Sequence, residues 1–420
     1  MLSTPPCPLR RSPAGYWSNF RWLDPFYGAI LGTDADTRRD AMELEVLRED
    51  LMFGARTAGH ALAGKSSMPI LSGILLRTGE GELELCATDL ERAIRCRIPA
   101  QVKEAGEAVL HGQVLEQLVA RLPEEERVGL SSADGKIRLS CGPATFELLT
   151  LPVDEFPELA TPKGEPLCRL SRGTFVQAIQ QTAFAAVRAT ETTRLALTGV
   201  NMILKEGKLK LAATNGYRLA VREMEAGGLP EGVSHNILVD AQVMTDLMRV
   251  LGTVGTEEVL FYLDEGQVHF AAGPLTYTAR LIQEEFPDFE RVIPRENEIG
   301  LFLPREEFLA TLRRLEITAA KESGAVTLKA QSSADTLEVH SASQEKGMGM
   351  ERIRLIKPPP RGIEISFRAE YLIDALRRME SEQVVLWLSA PDRAGLLEPA
   401  GEIAPADQGF IYVCMPVRLL

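Results

Sequence analysis

Short stretches of this chain alternate apolar and polar residues, and turn residues cut the alternation before it resumes. "GELELCA", "KLKLAAT", "EVLFYL" and "QVVLWL" carry the period of two, or the β-branched run, that predicts strands. Turns at Asp134-Gly135 and Glu265-Gly266 separate such strands into hairpins. A second period intervenes. Apolar residues three and four apart predict helices over 47–62, 113–122, 171–189, 241–251, 304–321 and 370–380. Phe175 with Ile179, and Phe308 with Leu312 and Leu315, give two of these helices a single buried face.

The pattern is written three times. "LSGILLRTGEGELELCATDLERA" from Leu71 and "LTGVNMILKEGKLKLAATNGYRLA" from Leu197 share strand, turn, strand and an "ATD" or "ATN" turn, at an offset of 126 residues. A second register agrees: the Phe-Pro pairs at 156–157 and 286–287 lie 130 residues apart. The third copy is fainter. "SGAVTLKAQSSADTLEVHSAS" from Ser323 repeats the two strands, and "FRAEYLIDALRRM" from Phe367 parallels "VDAQVMTDLMRVL" and "LHGQVLEQLVARL". The expected architecture is α+β, three copies of one domain in which two helices pack on antiparallel sheets, over residues 42–163, 164–294 and 295–420. Residues 1–41, with "STPPCPLRRSPAG" and "GTDADTRRDA", have no apolar period and read as a poorly ordered extension, or as a start codon set too far upstream.

Composition narrows the function classes. A chain of 420 residues, 45% hydrophobic and 25% charged, is globular and too long for one core. It has no apolar run of the ~18–20 residues that cross a bilayer, and no signal peptide pattern, so no membrane partner is expected. The six cysteines and five histidines are dispersed and never form CxxC, which argues against a metal or other cofactor and for a reducing, cytoplasmic setting. A net charge of −13 excludes wholesale coating by nucleic acid but not a local basic face. The six predicted helices hold 12 of the 46 basic residues and only 10 of the 59 acidic ones, so they are slightly basic in a strongly acidic chain.

"ATNGYRLA" (213–220) interrupts a strand with turn chemistry and then resumes with an aromatic and a fixed charge. Two readings follow, an active-site loop or the rim of a binding groove. The enzyme reading, with Thr214, Asn215, Arg218 and Asp89 as catalytic groups of a nucleotide-processing enzyme, lacks a nucleophile–base pair and a phosphate loop. The sister motif "ATDLERA" shows that the turn belongs to the domain plan and needs no catalytic account.

"MPILSGILL" (68–76), "ATDLE" (87–91), "LPVDEFPEL" (151–159), "TRLALTGVN" (193–201), "ATNGYRLA", "EEFPDFERVIP" (284–294) and "YVCMPVRL" (412–419) occur in order on this threefold repeat. Together they resemble the bacterial DNA polymerase III beta subunit, the sliding clamp. The resemblance covers everything after the extension. It implies a non-catalytic processivity factor for DNA replication: a head-to-tail homodimer closed into a ring around duplex DNA, contacting backbone and not base edges. It implies partners, the replicative polymerase and clamp-loader subunits, that insert short linear peptides into a groove between the second and third domains.

Carried over motif by motif, the groove would use Leu197, Thr214, Gly216, Tyr217, Arg218, Leu219, Pro294, Val413, Met415 and Pro416, with Arg418 nearby. Arg218 would hold a peptide carbonyl or carboxylate. Leu197, Leu219 and Val413 read equally well as plain core residues. The DNA-facing set would be Lys65, Arg188, Arg194, Arg313, Arg314, Arg377 and Arg378. The subunit interface would use Phe146, Leu148 and Ile317, though Phe146 and Leu148 could equally face their own core. Tyr217 replaces the family's common His, Asn215 the common Asp, and Thr318 a common apolar residue at the interface. Leu195-Ala196 stands where some members present aromatics to DNA, and Leu420 extends one residue past the usual end. These departures keep open a second reading, a paralogous clamp specialised for repair or for resistance to an inhibitor.

Overall fold

The computed structural model describes residues 42–418 other than Lys65, Glu125, Glu126 and Asp134. The expected extension 1–41, the DNA contact at Lys65, the turn residue Asp134 and the terminal Leu420 lie outside the described residues.

The first unit contains β1 (Glu43–Leu47), α1 (Arg48–Gly59), β2 (Gly73–Thr78), β3 (Glu82–Thr88), β4 (Arg92–Pro99) and β5 (Gln101–Glu104). It continues with β6 (Glu107–His111), α2 (Gly112–Val119), β7 (Arg127–Ala133), β8 (Lys136–Cys141) and β9 (Ala144–Leu151). The second repeats the order as β10 (Cys168–Ser171), α3 (Arg172–Thr182), β11 (Gly199–Lys205), β12 (Lys208–Thr214) and β13 (Arg218–Glu225). Next come β14 (Ser234–Asp240), α4 (Ala241–Leu251), β15 (Glu258–Asp264), β16 (Gln267–Ala272) and β17 (Leu275–Arg280). The third runs β18 (Ile299–Pro304), α5 (Arg305–Thr318), β19 (Ala325–Ala330), β20 (Thr336–Ser343) and β21 (Gly347–Arg354). It closes with β22 (Ile363–Arg368), α6 (Ala369–Leu376), β23 (Gln383–Leu388), β24 (Gly395–Ala400) and β25 (Phe410–Cys414).

Within each unit the two helices pack on each other and on the sheet, burying one stripe apiece. In α5 that stripe is Phe308, Leu309, Leu312 and Leu315. In β8 the alternation of "KIRLSC" is literal, with Ile137, Leu139 and Cys141 buried and their neighbours exposed. Asp240 caps α4 by accepting from the backbone N–H groups of Gln242 and Val243 at 2.8 and 3.2 Å. Most helices are shorter than their apolar period predicts. α3 stops at Thr182, whose hydroxyl donates back to Ala178 O at 2.7 Å, and a 3-10 turn over Ala183–Ala185 replaces the expected continuation to 189.

The sheets do not end where the units do. A thirteen-stranded sheet runs β10-β15-β16-β17-β4-β3-β2-β6-β9-β8-β7-β1-β5, so β17 of the second unit pairs with β4 of the first. An eight-stranded sheet runs β14-β11-β12-β13-β25-β24-β23-β18, so β25 of the third pairs with β13 of the second. β4 and β13 hold the same place in the repeat, and so do β17 and β25. The remaining members of these two sets are β21, at the edge of the four-stranded sheet β21-β20-β19-β22, and β9. Over Ala144–Leu149, β9 pairs with β8 alone, and β21 pairs with β20 alone, among the described residues. No helix among the described residues is long and apolar enough to cross a membrane.

Candidate functional site

The junction of β13 with β25 carries an apolar cluster separate from the main core. Leu219 lies opposite Val413 and Val221 opposite Ile411 across the ladder. Leu219 and Val413 join Ala212, Val221, Phe289 and Leu396 as its buried members, with Phe286, Ile293 and Trp387 packed against them. Exposed apolar side chains stand around it in sequence: Tyr217 is 65% exposed, Val292 54% and Met415 42%. Buried floor and exposed apolar rim are what a site for hydrophobic anchors requires.

The turn that opens β13 explains the sequence "ATNGYR". Thr214 Oγ1 donates to Arg218 O at 2.6 Å and accepts from Gly216 N at 3.0 Å. Asn215 Oδ1 accepts from the N–H groups of Tyr217 and Arg218, both at 3.0 Å. Gly216 takes φ 86°, where a side chain is costly; in the sister turn Leu90 accepts the same strain at φ 77°. Met415 N donates to Tyr217 O at 2.8 Å, which ties the rim residues of the two strands together. Thr214 and Gly216 thus shape the turn, while Leu219 and Val413 form the floor.

Other expected groove residues sit at the margin. Leu197 is half-buried on a 3-10 turn, Leu195–Thr198, that leads into β11, and its carbonyl accepts from Val187 N at 2.9 Å. Pro294 and Pro416 are half-buried, next in sequence to Ile293 and Met415, and Arg418 is exposed. Phe286, Phe289, Ile293 and Trp387 belong to the cluster and were missed from sequence. Three of them sit in "EEFPDFERVIP", the motif that supplies Pro294 to the expected groove.

Arg218 does not do what the sequence suggests. Its side chain is 10% exposed, Nη1 lies 2.8 Å from Asp374 Oδ2, and Nη2 donates to Phe184 O at 2.7 Å. The guanidinium carbon sits 4.7 Å from the Tyr371 ring centroid and 5.2 Å from that of Phe184. The expectation that Arg218 holds a peptide carbonyl is therefore corrected: Nη1 and Nη2 are both engaged in a contact between the second and third units, and Nε is buried without a hydrogen-bond partner.

The basic residues divide in the same way. Arg188, Arg194, Arg313 and Arg377 are exposed, with Arg188 3.8 Å from Glu191 and Arg377 3.7 Å from Asp374. Arg314 makes a two-pronged pair with Glu351, Nε to Oε1 at 2.8 Å and Nη2 to Oε2 at 2.7 Å, which commits its charge to β21. Arg378 is 15% exposed, lies 4.0 Å over the Phe184 ring and pairs with Asp374 at 3.3 Å. Arg378 is thus engaged within the fold, whereas Arg314, 56% exposed, is ion-paired at the surface.

Of the expected interface residues, Phe146 on β9 is 37% exposed and Ile317 on α5 69%, while Leu148 packs against its own core. Thr318 is held by Ser341, with the two hydroxyl oxygens 2.6 Å apart. Leu149 at 69%, Met348 at 85% and Met350 at 51% are the exposed aliphatics that sequence reasoning missed. No group of three or more His, Cys, Asp or Glu suited to a metal occurs among the described residues.

Three α+β repeats, joined by sheets that run through their junctions and left, among the described residues, with one side of β9 over Ala144–Leu149 and of β21 open, define a DNA polymerase clamp subunit. The chain belongs to the DNA polymerase III beta subunit family: the model of its N-terminal domain matches residues 42–160, that of the central domain 169–288 and that of the C-terminal domain 290–418. The chain is 27% identical over 383 residues to the beta sliding clamp of Synechococcus elongatus, covering 90% of this chain and 100% of that one. The Staphylococcus aureus beta sliding clamp is 26% identical over 385 residues, covering 90% and 99%. Among solved structures, the Bacillus subtilis sliding clamp superposes with a TM-score of 0.83 at 25% identity, covering 90% of this chain and all of that one. The C. crescentus beta sliding clamp gives 0.81 at 28% identity, covering 91% and 100%. The chain is accordingly a sliding clamp, a non-catalytic processivity subunit whose partners are DNA and a DNA polymerase.

Proposed function

We propose that two copies of this chain close head to tail into a ring around duplex DNA, β21 of each pairing with β9 of the other. The observation that carries the reading is the repeat of junctions: β4–β17 and β13–β25 are made within the chain, and the equivalent β21–β9 pair is not. Within one chain Ala93 pairs with Thr278 and Leu219 with Val413. The same register places Met348 opposite Glu147 of a second copy and Met350 opposite Thr145. An isologous patch is not needed; a heterologous contact closes when the rotation per unit is right. Phe146, Leu149, Ile317, Met348 and Met350 then leave water at the joint.

Arg188, Arg194, Arg313 and Arg377 serve as sequence-independent phosphate contacts of modest strength, because a ring is held by topology and not by affinity. The apolar cluster around Leu219 and Val413, rimmed by Tyr217 and Met415, receives short peptides of the replicative polymerase and clamp-loader subunits in the cytoplasm. The test is retention. The protein sediments as a dimer and, once loaded, stays on circular DNA and slides off linear DNA; equal retention on both refutes the ring.

A further inference from the structure

The turns that open β4 and β13 both end in an arginine. Arg92 closes Asp89-Leu90-Glu91-Arg92, and Arg218 closes Asn215-Gly216-Tyr217-Arg218. Strand register makes them equivalent, since Thr88 pairs with Ala93 and Thr214 with Leu219, each arginine preceding the paired residue. Both arginines reach across a junction to the same place in the next unit, the sixth residue of its second helix. Arg92 forms an ion pair with Asp246 of α4, and Arg218 with Asp374 of α6. Both carboxylates are shielded, with 9% and 18% of the side chain exposed. Shielding strengthens each pair and makes the loss of either partner costly.

The third junction is built without this pair. The sixth residue of α2 is Gln117. In β21 the pairing of Ala342 with Met348 puts Gly347 where the arginine would be. A further bond is missing from the same place. The hydroxyl of Tyr277 in β17 donates to Val243 O at 3.0 Å, and that of Tyr412 in β25 to Tyr371 O at 2.8 Å, fastening each second helix to its own sheet. The equivalent residue of β9 is Phe146, which has no hydroxyl.

We propose that Arg92–Asp246 and Arg218–Asp374 are matched interdomain locks that fix the angle at which successive units of one chain meet. In this role Arg92 and Arg218 are positioning residues and contact no ligand.

Hydrogen–deuterium exchange of the full-length protein, read by mass spectrometry, tests the locks. In Asp246→Asn, amides of β4 and β17 exchange about tenfold faster, the equivalent of about 1.4 kcal/mol, while β13 and β25 exchange as in the wild type. Asp374→Asn gives the converse, and Gln117→Ala leaves both junctions unchanged. Arg92→Lys, which keeps the charge, exchanges more slowly at β4 and β17 than Arg92→Met. Unchanged exchange at the matching junction, an equal rise at both junctions, or a rise in Gln117→Ala overturns the proposal. Sedimentation of the same samples separates the two readings. A monomer whose exchange follows the expected pattern refutes the ring and leaves the locks; a dimer with unchanged exchange refutes the locks alone.

Discussion

Replacing Arg218 by alanine removes a guanidinium that bridges two units, and its cost can be worked from the contacts. Two hydrogen bonds are lost, to Asp374 at 2.8 Å and to Phe184 O at 2.7 Å. Bonds involving a charged group contribute about 1.5–3 kcal/mol each. The stacking on Tyr371 and Phe184 adds about 0.5–1 kcal/mol. Against this, Asp374 keeps Arg378 at 3.3 Å, so it is not left as an uncompensated buried charge. The expected loss is about 3 kcal/mol, at the lower end of the range for breaking a buried pair. The assay is a double-mutant cycle of Arg218→Ala and Asp374→Asn, followed by calorimetric unfolding of the full chain. Because a chain of this size need not unfold in one step, the transition that contains the second and third units is the one compared. A coupling of about 1.5 kcal/mol between the two sites is expected. Peptide binding supplies the decisive arm. If Arg218 props the groove open, Asp374→Asn weakens a polymerase-derived peptide as Arg218→Ala does. If Arg218 grips the peptide, removing Asp374 frees it and binding is unchanged or tighter. Additive stabilities together with that second result refute the reasoning.

Met415→Ser weakens the same peptide about tenfold, by exposing a polar group where an anchor should sit, and fluorescence anisotropy with an unchanged dimer checks it. Met348→Glu with Met350→Glu, which sets carboxylates at the β21 edge beside Glu147 of the second copy, converts the protein to a monomer by sedimentation; a persistent dimer refutes the edge pairing. Burial holds the pKa of His269 below its ordinary value despite the carboxylate of Asp264 3.0 Å away. The unfolded chain therefore takes up the proton first, and stability falls as pH drops through the unfolded value of about 6.5 toward the folded one. Guanidinium unfolding at about pH 7.5 and about 5.5 shows that loss, and His269→Gln shrinks it; an equal loss in the variant refutes the assignment. Cys96, Cys168 and Cys414 are pushed up to about 12 by burial, so native alkylation at neutral pH spares them, and rapid labelling of any of the three would show that its site is open.

The repeat and the strand–helix order were legible because they rest on short-range periodicity and on motifs compared within one chain. Leu219 and Val413 came together in one site only through the resemblance to the clamp family, since their own pattern suits a plain core equally well. What could not be read is whatever depends on the partner across space. Asp374 lies 156 residues from Arg218, and nothing in "NGYRLA" says that the charge turns inward. Arg314 and Arg378 looked like free cations on helices, and Glu351 and Asp374 claim them from elsewhere in the fold. Alternation in "GMGMERIR" tells which side chains share a face, but not that the strand has one neighbour instead of two. Helix ends were overestimated because an apolar period persists into a 3-10 turn, as at Ala183–Ala185.

The same comparison accounts for the proposed groove falling at one junction when the fold builds the junction twice. Leu219 and Val221 of β13 correspond to Ala93 and Arg95 of β4, and Val413 and Ile411 of β25 to Thr278 and Thr276 of β17. At the first junction the larger position is filled by a guanidinium. Arg95 is held by Glu84 at 3.5 Å and by the carbonyl of Leu159, so a largely buried, ion-paired guanidinium stands where the second junction has Val221. At the second, all four positions are apolar: Leu219, Val221 and Val413 form a buried floor beside the exposed Tyr217 and Met415, a surface on which an apolar anchor can seat. In β21 the equivalent positions are Met348 and Met350, apolar again, and their occupant by this argument is a second copy of the chain. One domain plan thus yields three outcomes, a closed joint, a joint with a groove and an open edge. Which outcome results is set by a handful of side chains on the edge strands, while the order of the strands that carry them is the same in all three.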